Sequence, residues 1–166
     1  MILKGKARLL PDNVNTDIHC SSKYDKAQRS LEEYADIMFE KISPGFAARI
    51  EKGDIIAAGE NFGSISSRED AIEIMKKKGV AAILAKSFFR LIYRNAVNLG
   101  MPAIVCDTSR IQEGDELELD IDAGVVRDVS QKIEIHFEPF PAVVLELLRD
   151  GGIVPQILKQ KGRAAG

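Results

Sequence analysis

Residues Asp54–Val105, DIIAAGENFGSISSREDAIEIMKKKGVAAILAKSFFRLIYRNAVNLGMPAIV, decide the fold. Asp54–Ala58, Val80–Ala85 and Met101–Cys106 are short apolar runs, punctuated by Gly53, Gly59, Gly79 and Gly100, and read as buried strands. Between them, Ser67–Lys78 carries Ala71, Ile74 and Met75 on one face and stops at Gly79, while Ser87–Leu99 stops at Gly100. Strand–helix–strand–helix–strand implies right-handed crossovers and a largely parallel layer.

Upstream, Ile2–Leu10 reads as a strand closed by the turn-forming Pro11-Asp12-Asn13. A short strand is expected around Ile18, followed by a loop. Ser30 with Glu33 three residues on is a capping-box pattern, so Ser30–Glu40 is expected to be a helix. Gly45–Ile50 is expected to form one helical turn. Downstream, Asp115–Ile121, Val125–Val129 and Lys132–Phe137 are short alternating segments, as in an antiparallel meander with a turn at Asp122-Ala123-Gly124. Pro141–Arg149, stopped by Gly151-Gly152, and Ile153–Lys161 are the last helices, and residues 162–166 are expected to fray. The expectation is one mixed α/β domain over residues 1–166.

The totals exclude several functions. The 166 residues are 45% hydrophobic and 29% charged, ordinary for a soluble globular chain. A formal charge of -2 and the lack of a Lys/Arg run give no electrostatic footprint for nucleic acid. The opening MILKGKARLLPDN has no uninterrupted apolar stretch, so neither a signal peptide nor a membrane anchor is expected, and the chain reads as cytoplasmic. Cys20 and Cys106 are expected to be reduced, and are too few to hold an iron–sulfur cluster or a thiolate zinc site. His19 and His136 are isolated; His136 reads as structural, and His19, near Asp17 and Cys20, is at most a cleft residue. No metal site is expected.

Chemistry concentrates in Gly59–Asp70, GENFGSISSRED. A buried strand runs into this glycine-containing loop, which is expected to open a helix at Ser66 or Ser67. Loops at strand C-termini are the usual ligand sites of open α/β sheets, and helix N-termini suit carboxylate or phosphate. Arg68 in a first helical turn opposes the helix dipole, as a carboxylate-binding arginine would. Plain capping is the simpler local reading, because Ser66 with Glu69 and Ser67 with Asp70 both make capping boxes. The loop lacks the lysine and spacing of a phosphate-binding P-loop.

NFGSISSREDA resembles the NFG-C-G-SSRE-HA signature of the small subunits of isopropylmalate isomerase and homoaconitase, and of the swivelling domain of aconitase. DNVNTD at Asp12–Asp17 is similar to that family's DNIDTD-like opening, with Lys23-Tyr24 at its RY or KY position. AKSFFRLIYRNAVNLGMPAIV at Ala85–Val105 resembles SFARIFYRNAIN-GL-P, and PFPAVVLELLRDGGIV resembles the closing helix and Gly-Gly turn. These four blocks, in order, span nearly the whole chain. The resemblance implies an aconitase-type swivelling domain, layered β/β/α, with a parallel strand–helix–strand core and an antiparallel meander. It further implies a hydro-lyase subunit, active only with a large subunit that carries a [4Fe–4S] cluster. That enzyme moves a hydroxyl between adjacent carbons of a malate-like acid. Carried over by position, Ser66 is the base and Arg68 the carboxylate clamp, with Ser67 as the ordinary cap at the substrate's edge and Asp17 in support.

Three positions depart from the pattern: Ser64-Ile65 replaces Cys-Gly, Asp70 replaces His, and Asp25 stands where Leu is usual. An isoleucine is awkward where a glycine's backbone freedom is needed. The alternative reading is therefore a stand-alone swivelling-domain binding or interaction module that has lost activity. Lys23 and Lys26 fall in the loop that the resemblance sets against the substrate's variable group. Lys26 there is either a solvated lysine or a partner for a distal carboxylate. The substrate class stays open among isopropylmalate, homocitrate or homoaconitate, and substituted malates, that is, di- or tricarboxylic acids.

Overall fold

The computed structural model describes residues 1–21, 29–65 and 67–164. Among these residues fourteen elements follow one another: β1 (Ile2–Leu10), α1 (Thr16–His19), α2 (Leu31–Ala35), α3 (Phe46–Arg49), β2 (Ile55–Ala58), α4 (Asp70–Lys78), β3 (Ala82–Ala85), α5 (Arg90–Asn98), β4 (Ala103–Val105), β5 (Glu116–Asp120), β6 (Val125–Asp128), β7 (Ile133–His136), α6 (Ala142–Asp150) and α7 (Ile153–Ala164). The strands are ordered β4-β3-β2-β1-β5-β6-β7 in one sheet.

β1 joins two kinds of pairing. Its second half, Ala7–Leu10, runs parallel to Ile55–Ala58 of β2, which pairs in parallel with β3, and β3 with β4. Its first half, Ile2–Lys6, runs antiparallel to β5, which leads into β6 and β7. Near the change of partner, a Cβ on Gly5 would collide with the carbonyl of Gly53, so the backbones meet where only glycine fits. Arg8 and Asp54 lock the same junction: Arg8 Nε donates to Asp54 Oδ2 at 2.6 Å, with the two side chains 10% and 4% exposed. Asp54 also accepts from the backbone N–H groups of Lys6 and Glu51.

Alternation along the strands separates the layers. β2 and β3 are buried at every residue, as strands covered on both faces should be. Ile56, Ala58, Ile83, Ala85 and Ala103 share one core with Phe39, Ile72, Met75 and Ala96 on the helical side. Ile55, Ala57, Ala82, Leu84 and Ile104, on the opposite face, share a second core with Leu117, Leu119, Val126 and Phe137 of the meander. Helices, parallel strands and meander therefore stack as the expected α and two β layers. On the meander's outer face Lys4, Glu118, Arg127 and Glu134 stand opposite one another across four strands and pair ionically.

Several boundaries differ from expectation. The segment around Ile18 is helical, not a strand: Asn15 Oδ1 accepts from the Asp17 N–H, and the N–H groups of His19 and Cys20 bond to the carbonyls of Asn15 and Thr16. Local side-chain capping wins there over a weak alternating pattern. The Ser30–Glu33 capping box forms, but α2 ends at Ala35, and Phe39, at φ 60, gives its N–H to His19 O. α4 begins at Asp70, later than Ser66 or Ser67. α7 runs past Lys161 to Ala164. Residues 165 and 166 lie outside the described residues. Among the described residues, no helix is long and apolar enough to cross a membrane.

Candidate active site

Three segments leave the C-terminal ends of the parallel strands β1, β2 and β3, and the β2 segment is the middle ribbon. On one side, Asn13 N–H donates to Glu60 O at 2.7 Å, Gly63 N–H to Val14 O at 2.9 Å, and Thr16 N–H to Gly63 O at 3.3 Å. On the other, Phe62 N–H donates to Ser87 O at 3.0 Å and Phe89 N–H to Phe62 O at 2.9 Å. Side chains add to this: Asp12 Oδ1 accepts from Glu60 N–H, Asn61 Nδ2 donates to Asn13 Oδ1, and Ser87 Oγ accepts from Asn61 N–H.

Phe62 is fully buried, its ring edge-on to Phe88 with centroids 5.8 Å apart. Gly63 has φ 116, and a Cβ there would strike the Ile92 side chain. Both the backbone angle and the close approach demand glycine. Ser64 is buried, and Thr16 Oγ1 lies 3.4 Å from its Oγ. Ile65 is 80% exposed. The non-glycine residues with positive φ among those described are Asn13, Phe39, Asn61 and Lys132, so Ile65 has none of the backbone strain its substitution for glycine suggested.

Ser67 and Arg68 follow, both exposed, on a segment that is not helical. Ser67 is not the cap of α4. That position is held by Glu69, without a side-chain cap bond. The Ser67 and Arg68 carbonyls instead accept from Asn95 Nδ2, at 3.2 and 2.9 Å. Arg68 thus stands two residues ahead of a nine-residue helix, its charge near the positive helix end. Asp70, in place of the family's histidine, accepts from Ser21 Oγ at 2.9 Å, and Cys20 Sγ lies 3.5 Å from Ala71 O. Both contacts tie the end of α1 to the start of α4.

Asp17 is 6% exposed in α1, beside Thr16 and so one residue from the contact with Ser64. It lines a cavity of about 330 Å³ with His19, Ser21, Arg29, Tyr34 and Lys41. His19 Nδ1 and the Tyr34 hydroxyl, both buried there, have no hydrogen-bond partner among the described residues. Burial, and then the Lys41 charge, lowers the His19 pKa. His136, read from sequence as structural, lies exposed on β7. Ser66, Lys23 and Lys26 lie outside the described residues.

Neither thiol suits a metal. Cys20 and Cys106 are free and buried; burial pushes the Cys20 thiol well up and that of Cys106 up to about 12, with Asp70 and Asp107 adding to the respective shifts. Among the described residues no group of His, Cys, Asp or Glu is placed to hold a metal ion.

Asn95, which the sequence reading does not name among the site residues, is 3% exposed and bonded to the Ser67–Arg68 segment. The signal was present: Ile92, Asn95 and Ala96 recur at helical spacing, so an amide falls on the buried face of α5 and needs partners.

Comparison with known proteins agrees with this geometry. The family model described as the aconitase C-terminal domain matches residues 11–108. The small subunit 1 of 3-isopropylmalate dehydratase from Thermotoga maritima is 42% identical over 159 residues, 95% of this chain and 96% of the relative. The methanogen homoaconitase small subunit of Methanothermobacter thermautotrophicus is 41% identical over 158 residues, 95% of this chain and 92% of the relative. The crystal structure of 3-isopropylmalate dehydratase from Methanocaldococcus jannaschii superposes with a TM-score of 0.90 at 36% identity, covering 99% of this chain and 98% of that one.

Proposed function

The chain belongs to the aconitase C-terminal domain family, and from that premise we propose that it is the small subunit of a hydro-lyase that dehydrates and rehydrates a malate-like 2-hydroxy acid. The observation that carries the proposal is the braced ribbon at the strand ends. It holds Phe62–Ser64 rigidly and presents Arg68 to solvent beside position 66.

The reaction breaks a C–H bond and a C–O bond on adjacent carbons, and each needs its own partner. Ser66 takes the proton as base; its alkoxide is supported by the positive potential of Arg68 and of the α4 N-terminus. Arg68 grips a carboxylate of the acid with two parallel hydrogen bonds and so fixes the C–H carbon near Ser66. Ser67 lines the same edge. Asp17, buried in α1 next to the Thr16 that meets Ser64, supports the ribbon through that helix. The buried, protonated thiols of this chain do not fit an iron–sulfur cluster. The large subunit would hold the [4Fe–4S] cluster, which would supply Lewis acidity toward the departing hydroxyl.

An isopropylmalate dehydratase subunit and a homoaconitase subunit resemble this chain almost equally, so overall similarity does not select the substrate. Lys23 and Lys26 are the residues proposed to meet the variable group. A distal carboxylate would engage Lys26, whereas an isopropyl group would leave that charge without a partner. The competing reading, a non-catalytic interaction module, rests on Ser64-Ile65 in place of Cys-Gly, and of that pair Ile65 adopts an unstrained φ. The test is to purify the chain anaerobically with its large subunit and assay hydration and dehydration of a panel of malate-like acids. Turnover of at least one is expected. A stable complex inactive on all of them would favour the module.

A further inference from the structure

Asn95 holds the Ser67–Arg68 segment by both carbonyls. Ser66 with Glu69 and Ser67 with Asp70 are capping patterns that favour a helix starting there, yet α4 starts at Asp70. In a helix begun earlier, the Arg68 carbonyl would accept from the Ile72 N–H. Here that carbonyl accepts from Asn95 Nδ2 at 2.9 Å, and the Ile72 N–H donates to Glu69 O at 3.0 Å. The same amide nitrogen donates to Ser67 O at 3.2 Å. A trans peptide sets its N–H opposite its carbonyl. The two bonds that turn these carbonyls toward α5 therefore turn the N–H groups of Arg68 and Glu69 away from it. Asn95 is 3% exposed on the α5 face it shares with Ile92 and Ala96, so the donor itself is held rigidly.

We infer that Asn95 is a positioning residue: by taking the carbonyls of Ser67 and Arg68 it holds off the first turn of α4 and keeps Arg68 on a non-helical segment, in the shape its clamp role requires. The inference rests on the reading of Ser66 and Arg68 as base and clamp. Asn95→Asp keeps the shape and removes the donors; Asn95→Ala removes both.

In the large-subunit complex, each variant is expected to lower kcat/KM by about 100-fold, the scale of a small misplacement of reacting groups, with subunit association retained. A residue acting through the clamp is not additive with it. Asn95→Asp combined with Arg68→Lys should therefore be no more than a few-fold worse than Arg68→Lys alone, where independent effects would multiply to about 10⁴. In the chain alone, amide exchange should change over residues 66–72 and stay unchanged through the rest of α5. Wild-type kcat/KM in Asn95→Asp, or full multiplication with Arg68→Lys, would overturn the inference. Should the wild-type complex turn over no acid, the hydro-lyase reading fails, and exchange alone decides: unaltered exchange over 66–72 overturns the positioning role.

Discussion

Arg68 owes its value to geometry as much as to charge. A guanidinium offers a planar fork that meets both carboxylate oxygens, whereas an ammonium is a point charge on a flexible stem. Arg68→Lys is expected to raise KM and lower kcat/KM by about 100-fold without loss of the folded complex. Steady-state kinetics would check this, and an unchanged KM would contradict the clamp. Cys106 gives a prediction of a different kind. Its thiol, buried at 7% exposure, is pushed up to about 12 from 9.0, burial being the main cause. A folded value above the unfolded one means that the stabilisation is complete below pH 9.0 and is lost as pH rises from 9.0 toward 12. The loss approaches about 1.4 kcal/mol per pH unit. Melting of the wild type between pH 8 and 10.5 should therefore fall more steeply than that of Cys106→Ala. Parallel curves would show that the thiol titrates normally.

At the scale of the element, two short pieces set the site. The β2 ribbon depends on Gly63, where φ is 116 and Ile92 fills the space a Cβ would need. Gly63→Ala is expected to cost about 1–3 kcal/mol from backbone strain and overpacking, and to lower activity more than global stability alone explains. Chemical denaturation alongside kinetics would separate the two effects. The start of β2 depends on Asp54, which pairs with Arg8 and accepts two backbone N–H groups. Asp54→Ala leaves Arg8 only its longer contact to the part-exposed Glu113, at 3.5 Å, and strips two backbone N–H groups of their acceptor; it should destabilise by about 1–3 kcal/mol in urea unfolding, and unchanged stability would mean that Glu113 and water replace Asp54 fully. Glycine stops and apolar runs made β2, α4, β3, α5 and β4 legible from sequence. The start of α4 was not legible, because two good capping patterns lie upstream and the amide that overrides them sits on α5, 27 residues from Arg68. α1 was misread as a strand because one side-chain cap from Asn15 outweighed a short alternation.

For the whole molecule, β1 is the joint between a parallel half, which carries the proposed site, and an antiparallel meander, and ILKGKARLL shows no sign of the change of partner within it. The approach of Gly5 to Gly53 and the Arg8–Asp54 pair mark it, and both are tertiary facts. The candidate site was legible to the extent that Arg68 and its neighbours carry a family signature. The bracing by Asn13, Thr16, Ser87 and Asn95 was not, because it joins three segments far apart in the chain. Such a ribbon at the strand ends, one face braced and Arg68 exposed, suits a half-site that a second subunit completes.

The central claim, a hydro-lyase half-site with Ser66 as base, is tested most directly by turnover of the anaerobic two-subunit complex with wild-type and Ser66→Ala chains. The account predicts turnover of at least one malate-like acid by the wild type, and loss of it in Ser66→Ala with the complex and its melting intact. Full activity of the Ser66→Ala complex would contradict it.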